Sequence, residues 1–99
     1  MAAANVAGMA LVTVTRQAPG IYAVDVSESD GTSRHTVTAT RAHLAELGLD
    51  APPERVIEES FHFLLEREPK EAILARFDLP VIGRYFPEYP EEIRHRLEP

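Results

Sequence analysis

Between Pro53 and Tyr89 the chain reads P-E-R-V-I-E-E-S-F-H-F-L-L-E-R-E-P-K-E-A-I-L-A-R-F-D-L-P-V-I-G-R-Y-F-P-E-Y. Large apolar side chains fill this stretch, and prolines cut it at Pro69, Pro80 and Pro87. Proline fixes its own φ and has no N–H to donate, so it belongs at the first turn of a helix or just beyond its end. One long helix is thereby excluded. The segment reads as short helices meeting at sharp corners, and it carries every aromatic residue except Tyr22.

The main helix is expected from about Pro53 to Arg67. Ile57, Phe61, Leu64 and Leu65 recur at the spacing of a core-facing stripe, which Val56 and Phe63 widen. Burying one such side chain stabilises by roughly 1.5–3 kcal/mol, so this helix should dominate the core. Pro69 ends it and can start the next, with Ala72, Ile73 and Leu74 continuing inward. Asp78 then suits an N-cap, with Phe77 and Ile82 at the positions of a hydrophobic staple. Pro87 stops that helix, and a last one opens at Pro90. Its acids Glu91 and Glu92 come first and its bases Arg94, His95 and Arg96 last, as the helix dipole favours. Ile93 and Leu97 would anchor it.

Upstream the period changes to two. Met9–Arg16 is short and rich in β-branched residues, and Ala18-Pro19-Gly20 breaks it. In Ile21–Ser27, Tyr22, Val24 and Val26 alternate with Ala23, Asp25 and Ser27, the pattern of a half-buried strand. Ser29-Asp30-Gly31-Thr32 holds an Asp-Gly turn, and Arg34–Thr40 returns. A three-stranded antiparallel meander follows. It is marginal alone, so the downstream helices must cover it. Thr40 caps a short helix, Arg41–Leu47, which Gly48 closes.

Ninety-nine residues leave room for one domain, residues 9–99, preceded by a flexible terminus at residues 1–8. The absence of cysteine removes disulfides, thiolate nucleophiles and zinc–thiolate sites. Net charge is −6, carried mostly by the second half, with no run of lysine or arginine, so nucleic acid is a disfavoured partner. Neither a signal peptide nor a membrane span is legible, and the cytoplasm is the expected compartment.

The block at residues 61–89, F-H-F-L-L-E-R-E-P-K-E-A-I-L-A-R-F-D-L-P-V-I-G-R-Y-F-P-E-Y, resembles the C-terminal signature of a family of small bacterial proteins with no established activity. The resemblance covers about a third of the chain strongly and the β region more weakly. It implies a shared fold and a bacterial source, and it brings no catalytic residues.

Candidate chemistry is sparse. Glu58 and His62 stand four apart on one helix face, but a zinc site wants three or four protein ligands. Arg55 with Glu59 and Glu66 with Lys70 read as solvated helix pairs. Ser60 lacks the G-x-S-x-G elbow, and no phosphate-binding glycine motif occurs. No metal, cofactor or catalytic residue is expected, and the reading leans against an enzyme. Arg84, Tyr85, Phe86 and Tyr89 have the composition of interface anchors. Two readings of them stand together: core closure, and a patch that binds a protein partner or a second copy of the chain.

The expectation is therefore an α+β protein, a three-stranded antiparallel sheet packed on a helical C-terminal half, acting as a protein-binding or regulatory module. One rival is an antitoxin-like or DNA-linked regulator using Arg34, His35 and Arg41. Another is a small enzyme or ligand-binding domain, which needs a concave pocket with convergent polar groups between sheet and helices.

Overall fold

Turn chemistry sets the register of the sheet. β1 (Leu11–Ala18) and β2 (Ile21–Glu28) are joined by Pro19 and Gly20. Proline fixes the first central φ, and Gly20 (φ 76°) accepts the positive φ that a side chain would resist. Gln17 is the extra residue of a bulge, since Arg16 faces Tyr22 while Ala18 faces Ile21. β2 and β3 (Gly31–Thr38) turn through Ser29 and Asp30, and Glu28 pairs with Gly31. The computed structural model describes residues 10–98. Met9 and the terminus expected at residues 1–8 lie outside it.

Alternation decides which face is buried. Tyr22, Val24 and Val26 point into the core, as do Val12 of β1 and His35 and Val37 of β3. On the outer face Asp25 meets its register partner Arg34 in an ion pair at 2.7 Å.

The sheet differs from expectation at its far edge. Arg76–Asp78 forms a fourth strand, β4, parallel to β3 with Phe77 opposite Val37. The order is β1-β2-β3-β4, so the sheet is mixed rather than a three-stranded antiparallel meander. A parallel neighbour requires a long crossover. Here the crossover contains α1 (Arg41–Glu46), α2 (Pro53–Leu65) and a 3-10 turn at Lys70–Ala72.

α1 is built by local signals. The Thr40 hydroxyl accepts from His43 N–H, and His43 Nδ1 accepts from Thr40 N–H, both at 3.1 Å. Gly48 (φ 71°) ends it. α2 starts on Pro53 and lies across the core face beside β1, burying Val56, Ile57, Phe61, Phe63, Leu64 and Leu65. It ends at Leu65, two residues earlier than the spacing suggests.

Beyond α2 two expectations fail. Residues 70–74 make no α-helix, and Asp78 lies in β4 rather than capping the next helix. Asp78 is committed to the sheet, and Leu79 N–H continues that bonding to Thr38 C=O at 2.9 Å. Helix α3 (Val81–Tyr85) starts after Pro80 with no side-chain cap. α4 (Tyr89–Leu97) packs on α2 through Tyr89 and Ile93, both fully buried. Buried residues from Ala10 to Ile93 form one core cluster.

Lys70 lies beyond the end of α2 and does not pair along a helix face. Its expected partner Glu66 instead meets Arg67 and Arg96. With α2 already finished, Lys70 turns toward the β2–β3 hairpin and pairs with Glu28 (3.1 Å), Asp30 (2.7 Å) and its neighbour Glu71 (2.9 Å). These carboxylates, Asp30 foremost, hold its ammonium above the ordinary lysine range. The buried stem and charged head pin the hairpin to the crossover.

Candidate functional site

Of the four residues singled out as an interface, the structure divides the set. Tyr89, at the start of α4, faces inward and is 0% exposed. Its hydroxyl lies 2.7 Å from Ser60 Oγ, which donates its single proton to Val56 C=O at 2.7 Å. Tyr89 is therefore the donor to Ser60. Burial pushes its phenol up to about 12. Tyr89 is a core residue and leaves the surface patch. Ser60 is equally engaged, which removes it as a free nucleophile.

Phe63 stands at the centre of that filled corner. Tyr89 and Phe86 present to it at steep angles, with ring centroids 5.3 and 5.9 Å away. The Arg67 guanidinium sits 3.6 Å above the ring and also bonds Phe63 C=O and Glu88.

Tyr85 and Arg84, by contrast, are exposed, Tyr85 by 67%. Tyr85 stands at a groove of about 170 Å³ between the end of α2, the segment leading into β4, and α3. Leu64 comes from α2 and Phe77 from β4. Ala72, Ile73 and Leu74 line it from the connecting segment. Val81, Ile82 and Tyr85 come from α3, followed by Phe86. Leu74, 47% exposed, is a second large apolar side chain left in water here.

Leu74 is held from below. His35 is buried in the sheet, tilted against Phe61 at 5.3 Å, and its Nδ1 lies 2.8 Å from Leu74 C=O. A carbonyl only accepts, so Nδ1 carries a proton, and Nε2 faces Ser33 Oγ at 2.8 Å. Thr36 N–H adds a bond to Ala75 C=O. Together these bonds fix the backbone at the base of the groove while the Leu74 side chain stays outside.

Glu68 is the one charged residue among those lining the groove. It is half-buried, and burial raises its carboxyl above the ordinary value. Among the described residues no hydrogen bond or ion pair reaches its carboxylate, whereas Glu66, Glu71 and Glu88 all have cationic partners. Nothing in the sequence singles Glu68 out from the acids around it.

A second concavity, an open cleft of about 800 Å³, lies at the β1–β2 turn end of the sheet. Tyr22, Arg16, Arg41, Asp50 and Glu54 contribute to it with the start of α2. Burial, then the nearby Glu54, raises the Tyr22 phenol, and Arg16 opposes them.

The basic group considered for nucleic acid does not converge. Arg34 and His35 are adjacent on β3 and so point to opposite faces, Arg34 paired with Asp25 and His35 in the core, while Arg41 belongs to the cleft. Glu58 and His62 approach to 4.0 Å as a partly exposed helix pair. Among the described residues no three of His, Asp, Glu or Cys gather as a metal would require, and no helix is long and apolar enough to cross a membrane.

Family models, curated proteins and solved structures give no match to this chain.

Proposed function

We propose that this protein is a small, non-enzymatic binding module of the bacterial cytoplasm, with a regulatory role exerted through the groove beside α3. The observation that carries this reading is the pairing of an open apolar groove with two large exposed apolar side chains, Leu74 and Tyr85, at its margin. A folded chain gains by burying such groups, and a partner that covers them supplies that gain. About 170 Å³ is the size of one ring, since an apolar cavity of about 150 Å³ admits benzene. The occupant is a single aromatic or branched aliphatic side chain of a partner protein. The bacterial source rests on the likeness of residues 61–89 to the family signature described above.

Selection from a displayed library of random peptides tests this. Enriched peptides share one large apolar anchor, shift the backbone amides of Leu74, Val81, Ile82 and Tyr85, and fail against a Leu74→Ser, Tyr85→Ala double variant. Enrichment that survives the double variant contradicts the proposal.

The cleft around Tyr22 favours a second reading, a ligand-binding domain for a small polar molecule. Two arginines and two acids face it together. That mixed lining gives no preference for either sign of charge, so the groove remains the stronger site.

A further inference from the structure

We infer that the groove selects a partner segment carrying a lysine or arginine beside its apolar anchor, with Glu68 as the counter-ion. This inference rests on the binding reading of the groove and adds the chemistry of the occupant. Three observations converge on it. Glu68 is the one charged residue among those lining an otherwise apolar groove. It is half-buried and, within the described residues, unpaired, although its neighbours Glu66 and Glu71 are both taken up by cations. Finally, the chain as a whole carries −6, which draws cationic segments toward it and repels acidic ones.

The physical argument concerns what changes when the groove fills. An anchor ring in the groove strips water from the Glu68 carboxylate, and a carboxylate desolvated without a partner is strongly unfavourable. An apolar anchor alone therefore binds against that penalty. A cation on the same segment removes the penalty and forms a charge-assisted hydrogen bond in a site partly shielded from water. The aliphatic stem of lysine or arginine also covers apolar surface while its head stays polar, which suits a margin made by Leu74 and Tyr85. An acidic segment has the opposite balance and is rejected.

Three small probes with one ring and different heads separate these effects: 2-phenylethylammonium, 2-phenylethanol and 3-phenylpropionate. Each is titrated at neutral pH into the wild-type chain and the Glu68→Gln variant, and amide shifts are read at Leu74, Ile82 and Tyr85. The ammonium is expected to bind about fivefold more tightly than the alcohol, the size of a partly shielded ion pair. The carboxylate is expected to bind most weakly. In Glu68→Gln the three converge. Equal affinity of ammonium and alcohol for the wild type, or a preference that persists in Glu68→Gln, overturns the inference while leaving the groove as an apolar site. Absence of saturable shifts with all three probes on both proteins overturns the groove reading as well.

Discussion

Phe63 and Leu64 are adjacent on α2, yet they serve corners of opposite character. Phe63 is enclosed by Phe86, Tyr89 and the Arg67 guanidinium, and the polar atoms at that corner bond one another. Leu64 borders a groove whose other walls leave Tyr85 and Leu74 in water and the Glu68 carboxylate unpaired among the described residues. Phe86 belongs to both, edging Phe63 on one side and lining the groove on the other. The difference separates side chains that hold the fold from side chains the fold can spare. A corner that satisfies itself has no chemistry left for a partner, whereas the open corner retains apolar surface and charge to offer.

Substitutions at the two corners break or sharpen this contrast. Phe63→Ala removes the centre of the closed corner and should destabilise the chain by about 3–5 kcal/mol in chemical denaturation. Tyr85→Ala, at the open corner, should change stability by about 0.5 kcal/mol or less. Equal losses would erase the distinction.

Alkaline titration probes the closed corner next. The Tyr89 phenol is about 12 in the folded chain against an ordinary 10.0. Above pH 10 the unfolded chain has released this proton while the folded chain retains it. Stability contributed below pH 10 therefore falls as pH rises toward about 12, by roughly 2–3 kcal/mol. Tyr22, also raised, acts in the same direction. In Tyr89→Phe the urea midpoint should fall less steeply between pH 9.5 and 11.5 (about the range that brackets the first release). An unchanged slope would place Tyr89 outside the sealed interior.

His35 holds the backbone at the base of the open corner. His35→Leu leaves Leu74 C=O without its donor, at about 1–3 kcal/mol, and amide hydrogen exchange in β4 should accelerate. Unaltered exchange there would show that the strand is held by its ladder alone. The smallest effect belongs to Glu68. Its folded-state carboxyl is raised, so the groove disfavours the ionised form, and the resulting penalty grows as pH rises through its titration. Glu68→Gln should therefore stabilise the chain at pH 7, by about 0.5 kcal/mol or less, in the same denaturation measurement. A destabilised variant would mean that Glu68 has a partner within the fold.

Much of the fold was legible where its cause is local. Tyr22, Val24 and Val26 alternate with Asp25 because one face meets the core and the other water. Thr40 and Gly48 bracket α1 with capping groups that act within a few residues. β4 was illegible because three residues, Arg76–Asp78, give no period, and their parallel partner lies some forty positions earlier. The same residues resemble a helix start, so Asp78 was read as a cap. At the site, the stretch Arg84–Tyr89 was legible as a cluster, but its division was not. Composition treats Tyr85 and Tyr89 alike, and only the seating of α4 against Ser60 makes one interior and the other exposed. Glu68 is distinguished by having no cationic partner among the described residues, which is a property of three-dimensional neighbours.

The central claim is that an apolar group enters beside α3 and nowhere near Tyr89. Amide spectra recorded during titration with the uncharged probe 2-phenylethanol test it most directly, because they report on every corner at once. Saturable shifts confined to Leu74, Val81, Ile82, Tyr85 and Phe86 are predicted, with Ser60 and Tyr89 unmoved. Shifts centred on Ser60 and Tyr89, or spread evenly over the chain without saturation, would contradict it.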